Sequence, residues 1–560
     1  MCLLHHFRTS LLVPPSIHWD AARVSTINTA VICNHGLSIG RRFLKHFALH
    51  NAGNEVLHRH GEVTTRKQFR IPRFLRLHPW QQGRAAGASP NSLGNPPPVA
   101  GPQQTAGATM LPKTFSDRNV SVLGLGYVGL TLAVAMADAG FQVHGVEVRQ
   151  DVLDKLGQGN PHFHEPGLTE KLRHVIARGR FTFSRNQQDS SKASVFIITV
   201  GTPLGKDGRV RTDMIEAATR QVASCLHDGD LVILRSTVKL GTTRNVVAPI
   251  LRATGKQFDI AFCPERTLEG QALLELNQLP QIIGAESLDV ATRAAQIFGF
   301  LTPTTVKVST LETAELIKLV DNTYRDVTFA FSNEIAKLCN AMEISAVEVA
   351  RAGKLGYPRT NLPLPGPVGG PCLEKDPHIL IEAAREVGVE MAITAAGRLV
   401  NESQPVEVAD FLGKLAHSMQ GFPEVPTISL MGLAFKGRPA TDDLRGTMAK
   451  PVLEELRQRF PTARLRGFDA VVRPDDIRSF GLEPAANMTE AVSGANLAVI
   501  LNNHPVFTSM PLPDLAERMD RPGVIYDFWN NFNSRDVDLP DGTAYVALGS
   551  HGAARYAHVA

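Results

Sequence analysis

Apolar and polar positions alternate in a regular order along most of the chain. Asn119–Leu123 is a short β-branched and apolar run, and Gly124-Leu125-Gly126-Tyr127-Val128-Gly129 follows at once. Leu130–Ala139 then reads as a helix and Gln142–Val148 as a second strand. Strand-length runs at Val195–Val200, Leu231–Leu234 and Ile260–Phe262 each end at a polar turn: Gly201-Thr202-Pro203, Ser236-Thr237 and Pro264-Glu265-Arg266-Thr267. From Leu311 the period becomes that of one long helix reaching about Asn340, with another at about Ser345–Ala352. A further helix follows a glycine-rich stretch. Asp376 is its expected N-cap and Pro377 its first residue, with Ile379, Leu380 and Ala383 as the apolar face. Beyond it come a strand at Thr427–Leu430, a helix at Met448–Gln458, and strands at Arg464–Phe468, Leu497–Leu501 and Val524–Tyr526. Strands alternating with helices imply parallel sheets. The expected fold is therefore α/β: two Rossmann-like, doubly wound domains over 110–305 and 416–560, joined by a central helical domain over 306–415.

Residues 1–109 lack this periodicity. They end in Ser89-Pro90-Asn91-Ser92-Leu93-Gly94-Asn95-Pro96-Pro97-Pro98, a linker composition. The segment holds 12 Lys and Arg against 3 Asp and Glu, a net of +9, which leaves −5 for residues 110–560 out of the total of +4. It is Arg-rich and acid-poor, as transit peptides are. The simpler expectation is a disordered leader ahead of a plausible start at Met110. Because the basic charge belongs to the leader, no nucleic-acid partner is expected for the folded part. Six cysteines without CxxC spacing argue against a disulfide framework or a metal site and fit the cytoplasm. No apolar run reaches the roughly 18 residues of a membrane span, so no membrane partner is expected either.

The chemistry begins at the first turn. G-x-G-x-x-G carries weight here because a strand precedes it, a helix follows, and the acidic Glu147 lies 23 residues beyond Gly124. Gly124 permits the tight turn, Gly126 lets backbone approach a pyrophosphate, and Gly129 lets helix and strand pack closely. Glu147 would accept from adenosine ribose hydroxyls and repel a 2′-phosphate, which favours NAD over NADP. In a parallel sheet the polar turns at the strand ends face the ligand crevice. Glu265 there could handle a proton or hold a water.

A second stretch runs Gly366-Pro367-Val368-Gly369-Gly370-Pro371-Cys372-Leu373-Glu374-Lys375-Asp376-Pro377. A thiol just ahead of a helix, beside Lys375, has reasons for a lowered pKa. The plainer reading is a small buried residue on a turn. On the long helix Lys318 and Asn322 are four residues apart and share a face, where together they could hold an oxyanion; the plainer reading is a solvated polar face. The last domain has no G-x-G-x-x-G and is not expected to be a second NAD site.

Gly124–Leu130, Glu165-Pro166-Gly167-Leu168, Cys263-Pro264-Glu265-Arg266 and the Cys372 loop, in that order, resemble the UDP-glucose/GDP-mannose dehydrogenase family over about residues 117 to 540. The resemblance implies an NAD-dependent nucleotide-sugar 6-dehydrogenase. It would oxidise the C6 alcohol of a UDP-sugar to a carboxylate through a thiohemiacetal and a thioester on Cys372, for cell-surface polysaccharide synthesis. Carried over by motif, Lys318 and Asn322 bind substrate and stabilise charge. Asp376, Glu265 and a water near Thr202 serve proton transfers. Gly124, Gly126, Tyr127, Val128, Gly129, Glu147, Thr202 and Thr237 bind NAD. Arg266, Arg359, Gly369, Lys436 and Arg445 bind the sugar nucleotide. A homodimer is implied, which a helix of this length suits. The form of the Cys loop and Cys263-Pro264-Glu265-Arg266 look more like the N-acetylhexosamine branch, so UDP-N-acetylmannosamine is the expected substrate, ahead of UDP-N-acetylglucosamine and UDP-glucose. Two departures from the family pattern are Val238-Lys239-Leu240-Gly241, where prolines are common, and Pro371, where a polar residue is common. A non-catalytic NAD and nucleotide-sugar sensor would have no need of Cys372. A two-electron β-hydroxyacid dehydrogenase would need neither Cys372 nor the third domain.

Overall fold

The computed structural model describes residues 111–112, 114–187, 192–205, 208–533 and 537–551. The leader expected over 1–109 lies outside the described residues. Eight strands form the first sheet: β1 (Asn119–Leu123), β2 (Gln142–Val146), β3 (Phe181–Ser184), β4 (Val195–Ile198), β5 (Asp230–Leu234), β6 (Phe258–Phe262), β7 (Gln281–Ala285) and β8 (Thr305–Val308). Their order is β3-β2-β1-β4-β5-β6-β7-β8. All neighbours are parallel except β6 and β7. The middle strands β4 and β5 are buried throughout, which is why they read as unbroken apolar runs rather than as alternation.

The strand order reverses between β1 and β4, so the crevice for a ligand opens outside the carboxyl ends of those two strands. The second sheet repeats the plan, all parallel, in the order β11-β10-β9-β12-β13-β14, where β9 is Thr427–Met431, β10 Arg464–Phe468, β11 Glu483–Pro484, β12 Leu497–Ile500, β13 Gly523–Asp527 and β14 Thr543–Ala547. Its switch point lies between β9 and β12.

Between the sheets runs the central helix, Leu311–Ala341, 31 residues long. A second long helix, Ala392–Ser418, packs along it, with Gly397 against Ala330 and Val327. The sequence pattern conceals this second helix because Pro405 stands inside it. The first sheet continues to Val308, three residues past 305, and the second long helix reaches Ser418, three past 415. The strand after Val524–Tyr526 was also missed: β14 is short and buried from end to end. No described helix is long and apolar enough to cross a membrane.

The central helix is seated on the first sheet by contact and by charge. Gly284 on β7 lies so close to its first turn that a Cβ there would stand 2.4 Å from the Thr310 carbonyl oxygen and 2.8 Å from the Ala314 Cβ. The buried Glu315 carboxylate accepts the Gly241 N–H at 2.5 Å and the Thr243 N–H and hydroxyl at 2.9 and 2.6 Å. Replacing Gly284 by Ala should overpack this seat and destabilise the protein by about 1–3 kcal/mol, seen as a lower midpoint of thermal unfolding. An unchanged midpoint would show that the helix is free to shift.

Candidate active site

At the carboxyl end of β1 the chain turns through Gly124 with φ +90°. The helix α1 (Tyr127–Ala139) starts at once. A Cβ on Gly129 would stand 1.8 Å from the Gly124 carbonyl oxygen, so only glycine fits. At Gly126 a Cβ would meet nothing within 4 Å, so the turn is open there to a ligand. No side chain caps α1, and the backbone N–H groups of its first turn, including Val128, face that opening as a place for an anion. The Glu147 carboxylate, just past β2, accepts the Leu125 N–H at 3.0 Å on one oxygen and the Arg149 N–H at 2.9 Å on the other. Each oxygen keeps capacity for a ribose hydroxyl. This donor and acceptor set fits a dinucleotide. The Tyr127 side chain turns elsewhere: its hydroxyl bonds Glu165 and accepts the Gly270 N–H at 2.7 Å, while burial and Glu165 push its pKa well above the ordinary phenol range. Thr202, after β4, is buried and donates to the Thr237 carbonyl at 2.5 Å, tying the two polar turns of the crevice together.

The Cys372 loop does not fold as expected. Gly370–Leu373 forms a short helical turn of its own, and the next helix, Asp376–Glu386, has Lys375 rather than Asp376 at its N-cap. Asp376 is fully buried inside that helix start and holds side chains instead of backbone: Asn322 Nδ2 donates to its Oδ2 at 2.5 Å and Lys375 Nζ to its Oδ1 at 2.6 Å. Gly369 and Gly370 let this loop touch the next domain. Gly370 has φ +91° and donates its N–H to the Gly446 carbonyl at 2.6 Å. A Cβ on Gly369 would come within 2.3 Å of that same oxygen.

Cys372 is exposed to solvent at its edge yet enclosed by protein on most sides. That enclosure raises its thiol pKa, with Lys318 and Lys375 pulling the other way and Asp376 adding to the rise. The lowered pKa expected from sequence is thus reversed, because desolvation outweighs the two cations.

Glu265 is a buried carboxylate rather than a surface charge. It is buried and paired with Arg235, whose Nη2 donates at 2.5 Å, and its other oxygen accepts the Arg266 and Thr267 N–H groups at 2.7 and 2.8 Å. Burial alone would raise its pKa; the Arg235 charge and the Thr267 N–H outweigh that and hold it below the ordinary range. Its hydrogen bonds to the Arg266 and Thr267 N–H groups also fix the turn. Arg266 reaches Asp321 on the central helix at 2.9 Å.

Across the cleft, Lys436 Nζ donates to the Glu269 carbonyl at 2.6 Å, and burial lowers its pKa. Arg445 is held on the Asp443 carboxylate through Nε at 2.9 Å and Nη2 at 2.5 Å. Lys318, Glu269, Lys436 and Arg445 all lie close enough to Cys372 for their charges to act on one another. Arg359 is not brought there by any observed contact. It lies on an exposed loop, stacked 4.7 Å from the Tyr357 ring centroid.

Two further residues belong to the cleft. Burial and the like charge of Asp443 push the Glu269 carboxyl up to about 8, so it exchanges its proton near neutrality. Its signal was its place in the turn after β6, four residues beyond Glu265. Arg325 lies close enough to Lys436 to lower that lysine's pKa. It is seven residues from Lys318 on the same helix, hence on the same face. Among the described residues no group of three or more His, Cys, Asp or Glu side chains could hold a metal.

Three profiles match the chain in order. They describe the NAD binding domain (residues 118–302), the central domain (312–403) and the UDP binding domain (429–534) of the UDP-glucose/GDP-mannose dehydrogenase family. The UDP-N-acetyl-D-mannosamine dehydrogenase of Pyrococcus horikoshii is 32% identical over 413 residues, covering 73% of this chain and 94% of that protein. The Salmonella typhi enzyme of the same name is 32% identical over 434 residues, covering 73% of this chain and all of that protein. The solved structure of a UDP-glucose dehydrogenase from Pyrobaculum islandicum superposes with a TM-score of 0.70 at 27% identity, covering 79% of this chain and 99% of that one.

The Glu269 environment can be tested directly. Asp443→Asn removes the like charge beside Glu269 and frees Arg445, and both changes favour the carboxylate. Its ionisation should therefore move down from about 8 towards the ordinary carboxylate range, followed by carbon-13 NMR of labelled Glu side chains. An unmoved titration would mean that burial alone sets it.

Proposed function

Because the chain belongs to the UDP-glucose/GDP-mannose dehydrogenase family, a family of NAD-dependent nucleotide-sugar dehydrogenases with a UDP binding domain, we propose that it oxidises the C6 alcohol of UDP-N-acetylmannosamine to the carboxylate, with Cys372 as nucleophile. One observation carries the reading. Around the Cys372 thiol gather the Lys318 ammonium, the Asn322 amide held by the Asp376 carboxylate, and two cations from the next domain. The choice of sugar rests on the relatives that carry that substrate in their names.

NAD, held by the Gly124–Gly129 turn and Glu147, supplies the hydride acceptor for both oxidations when bound. The chain's own groups do the rest. A carboxyl takes the C6 hydroxyl proton as hydride leaves. Glu269, pushed up to about 8, suits that task better than the ion-paired Glu265, and Asp376, which acts on the Cys372 thiol, is the second candidate. Lys318 and the Asn322 amide face the oxygen on which negative charge develops. Cys372 gives up its proton and its sulfur bonds to C6 of the aldehyde, whose oxygen is protonated to the thiohemiacetal. Loss of that proton and a second hydride leaves a thioester. Water adds to the thioester carbon, the C6–S bond breaks, and the sulfur leaves as thiolate. The sum is alcohol, two NAD and one water giving carboxylate, two NADH and three protons. Lys436 and Arg445 are suited to the UDP diphosphate, since paired cations match two phosphates.

The active form is proposed to be a cytoplasmic homodimer. Leu316, Val320, Tyr324, Phe331 and Leu338 are exposed at helical spacing on the central helix, a stripe suited to a second copy. The carboxylate product would feed cell-surface polysaccharide synthesis.

The test is NADH formed per UDP-N-acetylmannosamine consumed, with UDP-glucose and UDP-N-acetylglucosamine in parallel. Two per sugar with the first is expected. Two with UDP-glucose instead would keep the chemistry and move the substrate, and the likeness to a UDP-glucose dehydrogenase structure gives that arm its reason. Cys372→Ser should stop short of the acid; full conversion at the wild-type rate would remove the covalent step.

A further inference from the structure

The loop that carries Cys372 is gripped from beneath at two points by buried side chains that are not among those lining the cleft. Asn333, on the central helix, uses both ends of its amide on one residue: Nδ2 donates to the Gly366 carbonyl at 3.0 Å and Oδ1 accepts the Gly366 N–H at 2.9 Å. Arg398, on the second long helix, donates from Nη1 to the Leu373 carbonyl at 3.1 Å, one residue past the thiol. The two grips are joined to each other. Asn401 Oδ1 accepts from Asn333 Nδ2 at 3.0 Å, and Asn401 Nδ2 donates to Asp326 Oδ1 at 3.0 Å. Asp326 Oδ1 also accepts Arg398 Nη1 at 2.6 Å. Asp326 and Asn401 are 0% exposed, Asn333 2% and Arg398 4%.

A buried ion pair embedded in amides adds little net stability, because desolvation offsets the attraction. What such a network does supply is one fixed arrangement of the groups it touches. Here those groups are the two ends of the Cys372 loop. Asp326 and Asn333 stand on the same rigid helix as Lys318 and Asn322, so one rod carries both the groups that face the substrate and the struts under the thiol.

We infer that Asp326, Asn333, Arg398 and Asn401 form a positioning network that fixes the Cys372 sulfur against Lys318 and Asn322. The inference rests on the proposed nucleophilic role of Cys372, and its test separates the two. Arg398→Lys keeps the charge but loses the Nε and Nη2 bonds to Glu402, at 3.2 and 3.0 Å, that hold the guanidinium in place, so the remaining nitrogen is no longer fixed on Asp326 and the Leu373 carbonyl. Asn333→Ala releases the other end of the loop. In the full chain, the rate of Cys372 alkylation by iodoacetamide is followed against pH by peptide mass, with kcat and KM for NADH formation from UDP-N-acetylmannosamine. Both variants should stay folded by circular dichroism, shift the pH profile of alkylation, and lose kcat by up to about 10²-fold with KM changed far less.

Wild-type alkylation and kcat in either folded variant would overturn the inference. If both variants fail to fold, the network maintains the fold and the positioning role falls. Altered alkylation with unaltered turnover would keep the grip on the loop and sink the nucleophile instead.

Discussion

A straight helix is a ruler, and this molecule is measured along one. At about 1.5 Å per residue, the 31 residues from Leu311 to Ala341 span roughly 45 Å. Each successive stretch answers to a different neighbour. Glu315 holds the turn after β5, Lys318 and Asn322 face the cleft, Asp326 meets the second long helix, and Asn333 meets the Cys372 loop. Asn340 Oδ1 accepts the His551 N–H at 3.0 Å, near the far end of the described chain. Because the helix cannot stretch, the spacing between the turn held by Glu315 and the loop held by Asn333 is set by residue count.

The two sheets share a plan but not a ligand, and one carboxylate in each shows why. Glu147 follows β2 and Asp469 follows β10, at matching places beside glycines of similar φ, +90° at Gly124 and +83° at Gly432. Glu147 accepts one backbone N–H on each oxygen. Asp469 accepts four, from Leu433, Ala434, Val471 and Val472, and an Asn502 amide besides. The second carboxylate is saturated by its own fold and has little left for a ribose. The chain after Gly432 also delays its helix to Ala449, and the intervening loop carries Lys436 and Arg445 towards the cleft.

What was legible in the sequence follows the range of the interactions. Strands β1 and β10 were read to the residue, and the long helix to within one, because burial on a strand or helix face leaves a periodic trace. The G-x-G-x-x-G turn was legible because close approach admits only glycine. The second long helix was not, since Pro405 and Gly397 hide a segment that tertiary packing keeps helical. Nor was the state of the site. Glu265 and Cys372 were found as residues, but their charges depend on Arg235, 30 positions from Glu265 in sequence, and on the enclosing protein, which acts through desolvation. Arg235 has no motif; only the fold brings it under Glu265.

The enclosed thiol has a consequence for the molecule's lifetime. Peroxide and other oxidants attack thiolate, and the ladder from sulfenic to sulfonic acid starts there. A cysteine kept protonated by its surroundings, though open to solvent, climbs that ladder slowly while the enzyme stands idle. The same desolvation that raises the Cys372 thiol pKa is therefore a form of corrosion resistance.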